Sequence, residues 1–536
     1  MRYRLAVLRL GAALAIAGAA SVSVFAADRQ LVNDWDVRNE IHLAPGVDPA
    51  IVKDYFPSFY DYLDTVLFHP TAGYYSSGRV DFTNHYRTFP GALAPSFGHM
   101  VAEQMFRMWD GMRKAGTLGP AEKFTIAEFG AGDGAMAESV LDYIDQQAAT
   151  NPDTRWEQFK EQVVYACYDR SPALSAIQRK RNARFGARFE AREGDATNPS
   201  ATIPRGSLKG VILSNELPDC FSVYKVILNG SGSAEIAFTA PSVPSQVWER
   251  IEGSLPAAAR NLIQTDDEAI ARKLFANRNP QNASAGRDRV YLSRAGFSAI
   301  LDAFSASKSY ESNVKLLQFQ ELYVPATVIP ELAEHLRQYA HSYAYALMKN
   351  GKGMVTYINL GEGKFIQGAG AALKAGYVIT IDYGSNWEGS LGEEFDHLRT
   401  YGPGSSQSHA DPYHFPTLND MTTDVNFGHI AQEGTSEGLK ALYFGPQHSI
   451  QQGTPIKLDQ PPPGRGETAG EAADFEMWAG LFYSWDAYKV LIQQKDNTDA
   501  AYSYPGDEAE ALMMPENRLG PDDRQRLAEI EKKLGR

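Results

Sequence analysis

Short apolar runs alternate with stretches of helical periodicity in the middle of the chain. FTIAEF (124–129) is followed by a helical pattern, VVYACYD (163–169) by another from Pro172, and GVILSNE (210–216) comes next. A later run, GYVITIDYG (376–384), is of the same kind. Strands that alternate with helices are typical of βαβ units and a parallel sheet. The pattern therefore predicts an α/β fold with a Rossmann-like sheet.

The segments around this sheet have different patterns. Residues from about 48 to 111 are helical in pattern except for FHPTAGYYSSGRVDF (68–82), which predicts a loop of the kind that often covers a site. The Pro- and Gly-rich stretch 459–473 is typical of a mobile linker. We expect six regions: a leader (1–27), an N-terminal helical region (28–120), the first half of the sheet domain (121–237), an inserted substrate or lid region (238–373), the second half of the sheet domain (374–450), and a linker with a C-terminal helical extension (451–536).

The first residues have the pattern of an export signal. Three arginines, Arg2, Arg4 and Arg9, stand at the start of an apolar run that ends in the small-residue pattern Val24-Phe25-Ala26. This predicts a periplasmic or secreted protein. A membrane anchor, an organelle-targeting leader, or a wrongly chosen start codon in a cytoplasmic protein are the alternatives. Later segments are too polar to span a membrane, so we expect no stable membrane insertion of the mature body.

The net charge of the chain limits the classes of partner that it is expected to bind. The net charge is -14, which repels nucleic-acid phosphates and attracts a cationic substrate such as an arginine or an amine. The length of 536 residues predicts more than one domain. Only two cysteines occur, both beside strand-like runs, and the histidines lack metal-ligand spacing, so we expect neither a disulfide framework nor a metal site.

The glycine motif TIAEFGAGDG (125–134) is the strongest chemical signal. A strand ends near Glu128 and leads into Gly130, Gly132 and Gly134, which permit a tight turn and a close approach of backbone to ligand. A dinucleotide would place its pyrophosphate near Glu128, where a carboxylate is unfavourable, whereas S-adenosyl-L-methionine has no phosphate and carries two positive groups. The motif and Glu128 therefore favour S-adenosyl-L-methionine over NAD.

Two aspartates follow the next strand-like runs. Asp169 ends VVYACYD, where its carboxylate could accept both ribose hydroxyls, and Asp195 in REGDA could reach the adenine amino group. For each aspartate, a loop or helix cap is an equally good interpretation. Together with Glu128, they predict a donor-binding site.

Three polar residues end the run GVILSNELPDCFSV. Asn215, Glu216 and Asp219 are candidates to orient a cationic methyl acceptor, because methyl transfer needs an in-line approach more than acid–base chemistry. A guanidinium fits a carboxylate with two hydrogen bonds. The alternative is that Glu216 caps a helix and Asp219 bonds backbone.

Other segments are weaker candidates for the same site. The strand end Asp382-Tyr383-Gly384 and the stretch 420–424 are expected to face it, with a loop cap nearly as good an interpretation. Tyr74, Tyr75 and Phe82 are expected either to close over substrate or to pack the N-terminal helices.

The chain resembles the MidA-like methyltransferases, which include mitochondrial complex I assembly proteins that dimethylate an arginine. The resemblance covers about 60–447 and recurs at YKVLIQQKD (488–496), and the segments that carry it include HPTAGYYSSGRVDF, AEFGAGDG, YDRSPALSAIQ, SNELPDCFSV, ITIDYG, DHLRTYG and DMTTDVNFGHIAQEGTSEG. It implies S-adenosyl-L-methionine as methyl donor, a Rossmann-like sheet, and a pocket for an arginine of a protein substrate.

The chain departs from this family at three places. The family usually has N-E-L-L-D-A-x-P-V, where this chain has Pro218, Cys220 and Ser222 in the corresponding loop. The family's G-D-F is Val80-Asp81-Phe82 in this chain. The leader is the third and larger departure, because S-adenosyl-L-methionine is made in the cytoplasm.

Two other classes of protein stay as hypotheses. One is a non-catalytic descendant that serves outside the cytoplasm as a binding or assembly module, which the altered loop and the leader favour. The other is an enzyme of a different type: an NAD oxidoreductase, which the glycine spacing disfavours, or a serine enzyme built on Ser305-Ala-Ser-Lys308, which lacks its partner motifs.

Overall fold

The structure is a computed structural model that describes residues 40–77, 80, 87–274, 289–391, 398–402, 411–462, 468–495, 512 and 521–536. The predicted leader (1–27), Phe82 and residues 463–467 of the predicted linker lie outside the described residues. None of the helices in the described ranges is both long and apolar enough to cross a membrane.

The strands of the described chain form two main sheets and a small two-stranded one. In chain order they are β1 (Phe124–Phe129), β2 (Val163–Asp169), β3 (Phe189–Glu193), β4 (Leu208–Asn215), β5 (Tyr224–Leu228), β6 (Ala234–Pro244), β7 (Arg289–Tyr291), β8 (Gln318–Pro325), β9 (Met354–Ile358), β10 (Leu373–Ser385), β11 (Leu398–Tyr401), β12 (Asp420–Thr423), β13 (Val425–Asn426), β14 (Leu439–Pro446) and β15 (Tyr488–Lys495).

The α-helices lie on the faces of these sheets. In chain order they are α1 (Val52–Tyr55), α2 (Phe59–Phe68), α3 (Phe89–Ala92), α4 (Ser96–Lys114), α5 (Ala135–Thr150), α6 (Arg155–Gln162), α7 (Pro172–Asn182), α8 (Ser245–Ile251), α9 (Ala257–Leu274), α10 (Arg294–Ser305), α11 (Tyr310–Val314), α12 (Pro330–Gln338), α13 (Ala340–Asn350), α14 (Leu360–Ala372), α15 (Trp387–Ser390), α16 (Phe427–Thr435), α17 (Ala469–Ser484) and α18 (Pro521–Lys533).

The first sheet confirms the predicted Rossmann-like α/β fold. Its strand order is β14-β15-β10-β4-β1-β2-β3, with β13 added beside β10. Strands β10, β4, β1, β2 and β3 are parallel, with β3 at the edge. Helices α4, α5 and α17 pack on one face, and α14 and α16 pack on the other. Because both faces are covered, the central strands β10, β4, β1 and β2 are largely apolar, which is the pattern that made them recognisable in the sequence.

The second sheet is a five-stranded antiparallel insertion that the sequence did not predict as a sheet. Its order is β7-β6-β5-β9, and β8 pairs with β6. It begins at β5, so the expected boundary at 238 falls inside β6, and α14 packs on the first sheet rather than in the insertion. The boundary was misplaced because β5 is buried along its whole length, and its apolar run resembles a continuation of β4.

The C-terminal region adds a strand to the first sheet. β15 pairs antiparallel with both β10 and β14. The expectation of a linker and a helical extension for 451–536 is therefore wrong for this stretch. The partners of β15 are distant in sequence, and a single run of eight residues does not reveal them.

Candidate active site

An open cleft of about 760 Å³ lies where β1, β2 and β4 end. Parallel strands bring their carboxyl ends to one edge of the sheet, which is where open α/β sheets bind ligands. The cleft is lined by the ends of these strands, the loops that follow β1 and β3, and the loop after α2: Phe68, Tyr75, Ser76, Gly130, Gly132, Tyr168, Asp169, Arg170, Ser171, Leu174, Gly194, Asp195, Ala196, Thr197, Glu216, Leu217, Cys220 and Phe221.

The glycine loop after β1 has the tight turn that the motif predicts. Gly130, Gly132 and Gly134 have φ values of 69°, 53° and 80°, in the region that favours glycine. A Cβ on Gly130 would lie 2.7 Å from Leu217 Cδ1. Gly130 and Gly132 line the cleft. Gly134 instead caps α5, and a Cβ there would lie 2.8 Å from Asn182 Nδ2 of α7.

Asp169 lies in the cleft with one carboxylate oxygen available. Its Oδ1 accepts a hydrogen bond from the Ser171 N–H at 2.8 Å. Among the described residues, Oδ2 has no hydrogen-bond partner. Burial raises the pKa of this carboxyl to about 6, against the lowering effect of the Ser171 hydrogen bond. The group is therefore mainly ionised at neutral pH and can accept hydroxyl groups of a ligand.

Asp195 both lines the cleft and caps a loop. Its Oδ1 accepts from the Thr197 N–H and hydroxyl, each at 2.8 Å. Its Oδ2 lies 3.9 Å from Arg170 Nε. Asp195 can therefore act both as a loop cap and as a ligand contact, because Oδ1 holds the loop while Oδ2, among the described residues, makes no closer polar contact than the one to Arg170.

Glu128 does not line the cleft. It is buried inside the sheet at 2% exposure, and its Oε2 accepts from the Tyr165 hydroxyl at 2.8 Å. Burial raises the pKa of Glu128 to about 7, although the Tyr165 hydrogen bond lowers it. A position one residue before the strand end directs this carboxylate toward the neighbouring strand β2, so the structure gives no support for its predicted donor contact.

Four carboxylates converge behind the inner end of the cleft. We call Glu216, Asp219, Asp382 and Asp420 the carboxylate chamber. They come from the end of β4, the 3₁₀ turn Pro218–Cys220, β10 and the start of β12. Glu216 lines the cleft, and the other three are buried. Proximity of like charges in a buried place is costly unless a cation or a proton compensates them.

Glu216 connects the chamber to the cleft. It has φ 48°, which is unusual for a non-glycine residue, and its N–H donates to the Ile381 carbonyl at 2.8 Å. Its carboxylate accepts from the Phe89 N–H and from Asn215 Nδ2, the latter at 3.2 Å. Burial raises the pKa of Glu216 to about 8, and the charge of Asp219 adds to the shift.

Asp219 has an unused oxygen inside the chamber. Its Oδ2 accepts from the Tyr383 hydroxyl, and its N–H donates to Asp382 Oδ2 at 3.3 Å. Asp219 is only 4% exposed, and its Oδ1 has no partner among the described groups. Burial raises its pKa, while the Tyr383 hydroxyl and then the Arg399 guanidinium lower it. The altered loop therefore still presents this carboxylate.

Asp382 and Asp420 enlarge the site beyond the main sequence candidates. Burial and then the charge of Asp219 raise the pKa of Asp382 well above its usual range. Asp420 accepts from the Tyr75 hydroxyl at 2.7 Å, and burial raises its pKa to about 7. Asp382 lies near the end of β10 and Asp420 begins β12, and a position near a strand end was the only sequence signal that distinguished them from loop caps.

A guanidinium group borders the chamber. Arg399 of β11 pairs with Asp424 at 2.8 Å and lies 4.8 Å from the centre of the Tyr383 ring. Asn215 is 8% exposed, and its Oδ1 has no partner in the described part of the chain. The described residues contain no group of three or more His, Cys, Asp or Glu arranged to hold a metal ion.

Other sequence candidates have local partners. The Ser305 hydroxyl donates to the Asp302 carbonyl within α10 at 2.8 Å. Cys167 and Cys220 are buried and unbridged. Neither finding supports a serine nucleophile or a disulfide framework.

A match to a family model identifies the family of the chain and its cofactor. Residues 100–445 match the family described as "Putative S-adenosyl-L-methionine-dependent methyltransferase". The match covers more than half of the chain and includes the cleft strands. The chain belongs to this family. Its cofactor is accordingly S-adenosyl-L-methionine, and the free Oδ2 of Asp169 and the glycine turn are compatible with a ribose and an extended amino-acid tail.

Two solved structures share the fold. Both are of an uncharacterized superfamily protein from Burkholderia thailandensis, one native and one bound to S-adenosyl-homocysteine. They are 18% and 19% identical to this chain, with a TM-score of 0.53 in both cases, and each comparison covers 88% of this chain and 99% of the other. A search of curated proteins gives no match.

Proposed function

We propose that this methyltransferase transfers a methyl group to a guanidino nitrogen of an arginine in a protein. The observation that carries the proposal is the carboxylate chamber, whose entrance residue Glu216 also lines the donor cleft. A buried set of like charges favours a cationic guest. The resemblance to MidA-like arginine methyltransferases supports the same acceptor.

A guanidinium suits this chamber better than an ammonium for two reasons. Its planar fork can donate to Glu216 and to the unused Oδ1 of Asp219 together. The guanidinium of Arg399 already lies 4.8 Å from the centre of the Tyr383 ring, so an aromatic ring beside these carboxylates is compatible with a planar cation. An ammonium would use neither feature fully.

The residues of the cleft bind and orient the donor in this proposal. The loop at Gly130 and Gly132 lets the backbone approach it, Asp169 accepts the ribose hydroxyls, and Asp195 contacts the adenine side. Gly134 ends that loop as the cap of α5, and Glu128 lies before it in β1, bonded to Tyr165. When bound, S-adenosyl-L-methionine supplies its methyl group, so that the carbon–sulfur bond breaks as the nitrogen–carbon bond forms and the acceptor nitrogen gives up one proton.

The carboxylates of the chamber orient the acceptor and take up that proton. Glu216 and Asp219 hold the guanidinium with one nitrogen directed toward the cleft, and Asn215 keeps Glu216 in place through its hydrogen bond at 3.2 Å. Orientation of this kind is the main contribution that a protein makes to an in-line transfer.

We further propose that the chain is exported. The support is the basic and apolar leader of the first 27 residues. Fractionation of cells that express the full chain with a C-terminal tag, together with the mass of the mature protein, tests this. A cytoplasmic protein of full mass would contradict export, and a membrane-bound protein of full mass would indicate an anchor.

The acceptor is tested with three matched peptides, acetyl-Gly-Gly-Arg-Gly-Gly-amide and its Lys and citrulline counterparts. We expect label from methyl-labelled donor to enter the arginine peptide alone, because citrulline lacks the charge and lysine lacks the fork. Label in the lysine peptide alone would overturn the arginine assignment.

A folded protein that binds no donor at all would favour a binding or assembly module. Isothermal titration of S-adenosyl-L-methionine into the full chain, with Asp169→Ala as the control variant, separates that case from a wrong acceptor.

A further inference from the structure

Tyr75 belongs to both halves of the site. It lies in the loop that follows α2, and its ring stacks on Phe68 with the ring centres 5.5 Å apart. Both rings line the donor cleft, and the Arg170 guanidinium lies 4.4 Å from the centre of the Phe68 ring. The ring of Tyr75 is thus part of the cleft wall, at the side where the N-terminal region covers the sheet edge.

The hydroxyl of Tyr75 extends the other way, into the carboxylate chamber. It donates to Asp420 Oδ1 at 2.7 Å. Asp420 is 2% exposed and begins β12, whose partner strand β11 carries Arg399. Among the described residues, the other titratable groups that interact with Asp420 are Asp219, Glu216, Cys220 and Tyr401. A third buried carboxylate is therefore fixed in position beside the two that the proposed function uses.

A second observation supports ligand binding in the chamber: some of its buried polar atoms have no hydrogen-bond partner among the described residues. Asp219 is 4% exposed and its Oδ1 has no partner among the described residues, which is costly for a buried carboxylate. Asn215 Oδ1 is in the same condition at 8% exposure. Other buried polar atoms of the described residues, such as Gln447 Oε1 and Gln493 Oε1, also have no partner, but Asp219 Oδ1 and Asn215 Oδ1 belong to the carboxylate chamber and its border, where a polar ligand would satisfy them.

We propose that Asp420 is a third acceptor-binding carboxylate and that Tyr75 is its positioning residue. This inference rests on the proposed function. The hydroxyl of Tyr75 holds Asp420 so that its Oδ2 faces the acceptor cation, while the ring closes the donor cleft. The side chain of Tyr75 therefore connects the donor cleft with the proposed acceptor site.

The test uses Tyr75→Phe, which keeps the ring in the cleft wall and removes only the hydroxyl. The probe is the acetyl-Gly-Gly-Arg-Gly-Gly-amide peptide, titrated into the full chain loaded with S-adenosyl-homocysteine and also used as substrate. We expect the peptide Kd and KM to rise about tenfold, because a hydrogen bond that positions a charged group is lost. The Kd of S-adenosyl-L-methionine should change less than about twofold, since the ring is retained.

The pH dependence gives a readout that a purely structural role would not move. The Tyr75 hydrogen bond lowers the pKa of Asp420. Its loss should therefore shift the rising limb of kcat/KM for the peptide to higher pH. An unchanged Kd, KM and pH profile would overturn the proposal, as would a loss confined to donor affinity.

A second variant guards against a folding defect. Asp420→Asn should weaken peptide binding in the same direction, and the double variant Tyr75→Phe/Asp420→Asn should be no weaker than Asp420→Asn alone, because Tyr75 acts through Asp420. Additive losses would contradict this. If the wild-type chain neither binds nor methylates the arginine peptide, the proposed function fails and the inference with it; if the wild type binds and the variants match it, only the inference fails.

Discussion

The donor cleft and the carboxylate chamber share a wall but are built from different materials. The cleft is open, and its shape depends on backbone: Gly130 and Gly132 with positive φ, and loops held by N–H groups that bond Asp169 and Asp195. The character of the chamber depends on side-chain charge, with three buried carboxylates behind Glu216. The shape of the cleft excludes ligands that do not fit, whereas the charge of the chamber favours a cationic ligand.

Because of this difference, we expect the cleft and the chamber to respond differently to pH. A turn of the backbone does not titrate, and Asp169, with its pKa of about 6, is mainly ionised at neutral pH. The pKa values of Glu216 and Asp420 are about 8 and 7, so the chamber holds protons at neutral pH that a cation must displace. Donor binding should therefore depend on geometry, and acceptor binding on pH.

The largest effect is expected from Gly130→Val. Valine disfavours the φ of 69°, and its Cβ would meet Leu217 Cδ1 at 2.7 Å, so the cleft wall must shift. The Kd of S-adenosyl-L-methionine should rise at least about 100-fold, as measured by isothermal titration. Gly116→Val is the matched control, because Gly116 has φ 75° with open space around it. Equal losses in the two variants would show that strain alone, and not the cleft, is responsible.

Glu216→Gln should weaken the acceptor half while strengthening the fold. Removal of the charge should lower kcat/KM for the arginine peptide about 30-fold. Between the usual glutamate pKa and the folded value of about 8, the unfolded chain releases a proton that the folded chain retains, so stability falls as pH rises through this window.

The glutamine variant escapes this loss, and at pH 8 it should be more stable by about 1–3 kcal/mol, with no gain at pH 4. Denaturant unfolding at the two pH values measures this. A variant that is less stable at pH 8 would show that the carboxylate of Glu216 is needed by the fold itself.

Asp169→Asn and Asp195→Asn should separate the two aspartates of the cleft. Asparagine at 169 keeps the bond to Ser171 but loses the charge of the free oxygen, so the donor Kd should rise about tenfold. Asparagine at 195 keeps the turn at Thr197, and we expect less than about a threefold change. Donor titrations of both variants under identical conditions give the ratio, and a larger effect at 195 would reverse our assignment of roles.

The smallest effect is a difference between two pH profiles of the wild-type chain. Donor affinity should be level above about pH 7 and fall below pH 6, where Asp169 gains a proton. Peptide affinity should continue to improve up to about pH 8, as Glu216 and Asp420 lose theirs. Parallel profiles would mean that one group governs both halves.

Several residues that line the cleft could be located from the sequence because their determinants are local. The glycine turn directly follows β1 and Asp169 ends β2, so a short window contains both the strand and the residue at its end. Glu128 shows the limit of that reasoning, since a position one residue earlier in the strand places its carboxylate against Tyr165 instead of in the cleft.

The chamber depends on contacts between distant parts of the chain. Asp420 meets Tyr75 across most of the chain, and Asp219 meets Tyr383 of β10. The antiparallel insertion was missed for a related reason, because β6 finds its partners β7 and β8 only after α8 and α9 have intervened. Pairings of this range are set by tertiary packing, which no single segment reveals.

The position of β15 has a consequence for how the protein is made. This strand lies between β10 and β14, yet Tyr488 is reached only after every cleft and chamber residue named above has been synthesised. A nascent chain that ends before it would leave the edges of β10 and β14 unpaired and exposed to association with other chains. The first sheet therefore cannot form completely until the last part of the chain has been synthesised. A chain shortened before Tyr488 should aggregate, although it contains every residue of the site.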